Sequence, residues 1–442
     1  MGGLPRPTCM AIIRAVPSTS TRVRFRDLKT PKEGAKITFK NGYPVVPDQP
    51  IIPFIEGDGI GKDIWRAAQR VFDAAVEKAY LGKRKVHWFE IFAGEKAQSR
   101  YSTYLPDDTI DAIKTYGVAI KGPLATPVGT GIRSLNVSLR QTLDLYSCVR
   151  PIHYSYGAPS PMQHPEDCNF VIFRENTEDL YSGIEWPAES PEAKKLIAFI
   201  NDLLGKDPSA RGRKVDELAA IGIKPMTRFR SQRNMRRALS YAVTHGIRDL
   251  CIVHKGNIMK YTEGGFREWC YELALAEFRD KIVTEDELHK QHGGILPAGR
   301  VLVKDRIADN AFQQILLYPK NYYILVCTNV IGDLLSDAAA AQIGGLGIAP
   351  GANIGDLAAV FEATHGTAPD IAGKDIANPS AVIFSGAMMF EYLGWLEARD
   401  LIHHGVEKTV RAKTVTADFA AQLPDSRKLS TTEFADAVIA AM

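Results

Sequence analysis

The sequence predicts an α/β fold, and two observations carry that expectation. Short apolar runs alternate with longer stretches whose apolar residues recur at helical spacing. Each run then delivers polar residues just after its last apolar position, the end at which open parallel sheets bind ligands. With 442 residues, 45% hydrophobic and 24% charged, the chain is long enough for two or three domains around sizeable cores.

The elements follow in order. Residues 51–55 form a short apolar strand that ends in Glu56-Gly57-Asp58-Gly59-Ile60-Gly61. That turn is a tight strand-to-helix connection. It stops at GxGxG and lacks the third glycine of a dinucleotide fingerprint. The next stretch is a helix with Ile64, Ala68, Val71, Phe72, Ala75 and Ala79 on one face. Residues 118–120 are a strand stopped by Gly122-Pro123, and 171–173, 250–253 and 322–326 are further strands. Segment 186–222 is charged, mixed in pattern and carries Pro187, Pro191 and Pro208, so it reads as an inserted subdomain or arm. Segment 344–355 is glycine-rich and reads as a loop, or two close-packed turns, where backbone approaches a ligand or a neighbouring chain.

Bulk charge narrows the function classes. A net charge of +3 is small for this length and argues against a protein built for nucleic acid. No apolar run reaches the ~18 residues of a membrane span. The cysteines, Cys9, Cys148, Cys168, Cys251, Cys270 and Cys327, form no CxxC pair and no zinc-like spacing. Buried reduced thiols in a cytoplasmic protein are expected instead. Before Asp27 there are five arginines and no acid, a pattern that resembles an organelle transit peptide. The preferred reading is a basic, disordered extension over 1–30, or a start placed upstream of the true one at Met10.

Several polar residues could carry chemistry. Asp333 and Asp337 are four apart on a helical stretch and share one face, and Asp305 and Asp309 repeat that spacing at the start of another. Acids there often cap helices, but three converging would suit Mg²⁺ or Mn²⁺. Arg133, Arg140, Arg150 and Arg174 lie close to strand ends. The guanidinium fork matches a carboxylate, so several such arginines suit a substrate with several carboxylates. Lys255 ends one strand and Tyr181 lies in DLYSG; a lysine and a tyrosine can act as general base and acid when their surroundings shift them.

Taken together, IEGDGIG, KGPLATPVGTGIRSLNVSLRQ, RPIHY, VIFRENTEDLYSGIEW, HKGNIMKYTEG, IADNAFQQIL, NVIGDLLSDAAAAQIGGLGIAPGANIG, FEATHGTAPDIAGKD and NPSAVIFSGAMM resemble the bacterial-type homodimeric isocitrate dehydrogenases of the isocitrate/isopropylmalate dehydrogenase family. The match runs from about residue 35 to the C-terminus.

The resemblance implies a large discontinuous α/β domain (31–145 and 344–442), a small α/β domain (146–178 and 228–343) and a dimer-clasp arm (179–227). It implies oxidative decarboxylation of isocitrate to 2-oxoglutarate in the tricarboxylic acid cycle. Ser134, Asn136, Arg140, Arg150 and Arg174 match the substrate-binding positions. Tyr181 and Lys255 match the catalytic acid and base, and Asp309, Asp333 and Asp337 the metal-binding acids. Lys255 and Asp309 would reach the partner subunit's site. The Ser134–Asn136 pair separates this chain from isopropylmalate-type relatives. A homoisocitrate or other 2-hydroxy-acid enzyme, and a catalytically silent regulatory paralogue, are the alternatives.

The resemblance further assigns cofactor contacts to Thr126, His365, Gly366, Thr367, Ala368, Asp370, Ile371, Asn378 and Asp418. NADP-dependent bacterial relatives carry lysine and tyrosine where this chain has Asp370 and Ile371. They carry tyrosine and arginine at Ala417 and Ala421, and a further arginine at Tyr318. A carboxylate suits ribose hydroxyls and repels a 2′-phosphate. Losing cationic contacts at ~1.5–3 kcal/mol each would weaken NADP by orders of magnitude. NAD is therefore the expected cofactor.

Overall fold

The computed structural model describes residues 25–40, 43–125 and 134–442. The basic N-terminal stretch to residue 24, with Cys9, and the predicted cofactor residue Thr126 lie outside the described residues.

The chain is α/β, centred on an eleven-stranded mixed sheet. In chain order its strands are β1 (Ile51–Ile55), β2 (His87–Glu90), β3 (Val118–Lys121), β4 (Ser147–His153), β5 (Asn169–Glu175), β6 (Asp249–His254), β7 (Ile282–Thr284), β8 (Val301–Ile307), β9 (Ile324–Cys327), β10 (Pro350–Ile354) and β11 (Ala359–Ala363). Their spatial order is β7-β8-β6-β9-β5-β4-β10-β11-β3-β1-β2. Both flanks are parallel. The β5–β4, β4–β10 and β10–β11 pairings at the centre are antiparallel. The two parallel flanks therefore run in opposite directions and meet at β4 and β10.

Strand residues alternate between two cores, as a period of two requires. Ile52, Val118, Ile120 and Phe361 enter one, and Ile51, Ile55, Ala119 and Val360 the other. Helix Gly61–Tyr80 buries Ile64, Ala68, Val71, Phe72 and Ala75 on the face its spacing predicts, and ends where Leu81 turns left-handed at φ 50°. Fully burying one such large apolar side chain contributes ~1.5–3 kcal/mol.

Two local expectations change. The glycine-rich segment is a loop only in part: after the short helix Leu346–Ile348 it becomes β10, buried throughout at the centre of the sheet. Its small residues let neighbouring backbone come close: a β-carbon at Gly351 would lie 3.2 Å from the Glu362 carbonyl oxygen. Asp305 is not on a helix with Asp309. It lies in β8, and helix Ala308–Leu317 begins three residues later. The arm segment folds as helix Pro191–Lys206, with the strand pair Glu185–Trp186 and Ile221–Gly222 at its base. Cys148, Cys168, Cys251, Cys270 and Cys327 are free and buried. Among the described residues no helix is long and apolar enough to cross a membrane.

Candidate active site

Three of the four predicted arginines come together, Arg150 and Arg174 through strand register and Arg140 from a helix, while Arg133 lies outside the described residues. Arg150 pairs with Ile172, two residues before Arg174, so Arg150 and Arg174 point to the same face of the sheet. Glu362 and Lys121 pair with each other one strand pair away and share that face. Helix Leu135–Thr142 covers it and brings in Arg140. Its N-cap residue, Ser134, makes no side-chain cap bond.

Helix Asn329–Gln342 supplies the acids. Asp333 and Asp337 sit one turn apart on it, as their spacing predicts. Arg174 donates through Nη1 to Asp333 Oδ1 at 2.5 Å and through Nε to the Asn329 carbonyl oxygen at 2.9 Å. Arg150 donates to Ser336 Oγ at 2.5 Å and to Asp337 Oδ1 at 2.9 Å. The Tyr181 hydroxyl donates to the other oxygen of Asp333, and its ring lies 4.8 Å from the Arg174 guanidinium. This close fit depends on Gly332: a β-carbon there would come within 2.7 Å of the Arg174 side chain.

Electrostatics follow from the crowding. Burial, then Arg150 and Arg140, push the Arg174 pKa down. Burial alone would raise Asp333, but Arg174, the Tyr181 hydrogen bond and Arg150 outweigh it and hold the carboxyl below its usual range. Burial raises Asp337 despite Arg150, and raises Tyr181, which the Asp333 bond raises further. Arg140 Nε, Arg150 Nε and Asn136 Oδ1 are buried with no hydrogen-bond partner among the described residues. Such orphans are costly unless a ligand satisfies them. Two further guanidinium donors suit an anion with several carboxylates.

Lys255 and Asp309 form a second group. The Lys255 ammonium pairs with the exposed Asp309 carboxylate, and this bond holds that carboxyl low. Among the described residues no three acids, histidines or cysteines come close enough to hold a metal. One chain thus brings Asp333 and Asp337 together and leaves Asp309 with Lys255. The donor chemistry still fits a hard divalent cation: two carboxylates on one helix face, Asp337 with a half-exposed side chain.

The described cofactor-matching residues lie in two local groups, the loop 365–371 after β11 and the pair Asn378 and Asp418. The Thr367 carbonyl accepts from the Ile60 amide at 2.9 Å, tying this loop to the GDGIG turn. His365 Nδ1 faces the Gly366 carbonyl at 2.9 Å, Nε2 is buried without a partner among the described residues, and burial lowers its pKa. Ala368 has φ 39°, a left-handed conformation that a non-glycine residue rarely adopts. Asn378 donates to Asp418 at 2.9 Å. Asp370 and Ile371 lie in the single turn Pro369–Ile371, with Asp370 exposed and Ile371 half-buried against the core.

Residue-by-residue reading missed a buried polar set. Glu362 accepts from Lys121 Nζ at 2.5 Å, Asn353 Nδ2 at 2.6 Å and Arg140 Nη2 at 2.8 Å. Burial opposes its ionisation, but Lys121 and Arg140 win and hold it far below the carboxylate range. The available signal was a lysine and a glutamate inside the apolar runs VAIK and AVFEA.

Comparison with known proteins fits this geometry. Residues 51–438 match the model of the family described as isocitrate/isopropylmalate dehydrogenase. A protein of Archaeoglobus fulgidus named isocitrate dehydrogenase [NADP] is 53% identical over 417 residues, 94% of this chain and 98% of that one. A Pseudomonas aeruginosa protein of the same name is 50% identical over 421 residues, 95% and 100%. A solved isocitrate dehydrogenase from Methylococcus capsulatus superposes with TM-score 0.71 at 38% identity, over 89% of this chain and 99% of that one.

These relatives overturn the NAD expectation, because their names specify NADP. One physical weakness of that expectation lies in Asp370. Its carboxylate is open to water. An exposed charge is screened and contributes roughly 0–1 kcal/mol, too little to exclude a phosphate by itself. On the family model and these identities, the chain belongs to the isocitrate/isopropylmalate dehydrogenase family.

Proposed function

We propose that this enzyme oxidises and decarboxylates isocitrate to 2-oxoglutarate and CO₂, with NADP as hydride acceptor and Mg²⁺ or Mn²⁺ bound. One observation carries the reading: three arginines, a tyrosine and two acids meet on one sheet face, and buried donors there await an anion. The relatives named for NADP support the choice of cofactor.

When bound, the cation stabilises negative charge on the substrate's C2 oxygen and the nicotinamide takes the hydride. The residues of this chain do the rest. Arg140, Arg150 and Arg174 orient the carboxylates, with Ser134 and Asn136 at the mouth of the same helix. Lys255 takes the proton of the C2 hydroxyl, and Tyr181, a phenol that carries its proton at neutral pH, delivers one to C3 after CO₂ leaves. Asp333, Asp337 and Asp309 would hold the cation. His365, Gly366, Thr367, Ala368, Asn378 and Asp418 would line the cofactor.

Asp309 and Lys255 stand apart from Asp333 in one chain, so a homodimer with shared sites is part of the reading. The exposed Leu316, Leu317 and Leu334 on two neighbouring helices, with Ile258 and Tyr261, supply an apolar surface for it. The segments 31–145 with 344–442, and 146–178 with 228–343, would be its two domains, clasped through 179–227. Buried free cysteines suit a reducing cytoplasm. The test is isocitrate oxidation with NADP and NAD in parallel, with and without Mg²⁺. NADP with Mg²⁺ is expected to give the higher kcat/KM; equal or better turnover of NAD would sink the cofactor assignment, and no turnover would sink the activity.

A further inference from the structure

Lys224 sits at the base of the arm between two fully buried carboxylates. Its ammonium pairs with Asp179 and lies 2.8 Å from Glu263 Oε1. Glu263 holds backbone at a proposed catalytic residue, and Asp179 holds it one residue before another. Asp179, left-handed at φ 72°, accepts from the Leu180 amide at 2.7 Å and from the Val330 amide at 3.1 Å. It thereby fixes the turn that presents Tyr181 to the start of the helix bearing Asp333. Glu263 accepts from the Lys255 amide at 3.1 Å. The next residue is pinned too: the Gly256 amide donates to His254 Nδ1 at 3.0 Å, and His254 Nε2 faces Asp305 Oδ2 at 3.0 Å.

We propose that Lys224 is a positioning residue that ties the proposed acid, Tyr181, to the proposed base, Lys255, through Asp179 and Glu263. The inference rests on the functional reading given above. If Lys255 serves the partner's site, then Lys224 joins the two sites of a dimer within one chain. An alkyl chain alone would satisfy neither carboxylate, so the cation is what makes the join.

The experiment compares Lys224→Met and Lys224→Arg with the parent, by steady-state kinetics and by amide hydrogen exchange on the intact protein. Lys224→Met should lower kcat about 10- to 100-fold, the size expected when a reacting group is misplaced by about an ångström. The KM for isocitrate should change little, because the arginines are untouched. Exchange should rise in both segments 179–181 and 255–256, and Lys224→Arg should restore both readouts. An unchanged kcat, or exchange rising at only one of the two segments, overturns the proposal. If Lys224→Met does not fold, Lys224→Met with Glu263→Gln, which removes one stranded charge, is read in the same way.

A separate arm isolates the parent reading. Co-expressed Tyr181→Phe and Lys255→Met chains should regain activity if sites are shared. Failure to regain it rejects the shared site while leaving the Lys224 measurements to decide the tie.

Discussion

Asp333 is held by Arg174 on one oxygen, at 2.5 Å, and by the Tyr181 hydroxyl on the other. One carboxylate thus joins a substrate-matching arginine, a proposed acid and a proposed metal ligand. Disturbing any partner disturbs the others, and the separate roles appear only in how kcat and KM divide.

Arg174→Lys keeps the charge and loses the fork that grips both Asn329 and Asp333. Each lost charge-assisted bond is worth about 1.5–3 kcal/mol, so kcat/KM for isocitrate should fall ~10- to 150-fold. Steady-state kinetics check this, and a drop in kcat with KM intact would remove Arg174 from substrate binding.

Tyr181→Phe should lower kcat by ~10²–10⁴, the usual share of general acid–base catalysis, with KM nearly constant. Turnover at the parental rate would exclude Tyr181 as the acid. Burial, and then the Asp333 bond, push its pKa up.

Gly332→Ala places a methyl within 2.7 Å of the Arg174 side chain. Helix interiors favour alanine over glycine by ~1 kcal/mol, so a loss here would come from the clash alone. The expected result is a raised KM for isocitrate with little change in Tm. An unaffected KM would show that Arg174 tolerates the shift.

Asp305 gives a stability prediction with a definite sign. Burial would raise its pKa, but His254, Tyr271 and Arg267 outweigh that and hold it at about 2. A depressed carboxyl stabilises the fold above its unfolded pKa of ~3.9 and loses that contribution as pH falls toward 2. The contribution is of order 2 kcal/mol. Denaturant unfolding from pH 5 to 2 should show a steeper loss for the parent than for Asp305→Asn. Parallel curves would refute the assignment.

Much of this was legible in the sequence. Apolar runs located β1, β3, β5, β6 and β9, because strands buried on both faces read as continuous hydrophobic stretches. The spacing of Asp333 and Asp337 placed both on one helix face. β10 escaped, since PGANI has the composition of a loop and becomes a strand only through its neighbours β4 and β11. Asp305 was misplaced because strand and helix adjoin without a break in pattern. Glu362 with Lys121, and Lys224 with Asp179 and Glu263, were out of reach for another reason: partners distant along the chain meet only in the fold. The NAD expectation, drawn from Asp370 and Ile371 and from Ala417, Ala421 and Tyr318 standing where NADP-dependent relatives carry phosphate-binding groups, is overturned by the relatives named for NADP.

The arm leaves and rejoins the body through a single doorway. The Asp179 amide donates to the Pro225 carbonyl at 3.0 Å, and Thr227 donates to Glu178 through its amide at 3.0 Å and its hydroxyl at 2.9 Å. Everything from 183 to 222 therefore hangs beyond a closed neck. Changing the length of a segment whose ends are already joined costs little closure entropy, about 0.6 kcal/mol per doubling. Chain entropy therefore sets little limit on the length of the outer arm; the neck is where a graft would have to be cut, and assembly of the clasped dimer is what the graft would put at risk.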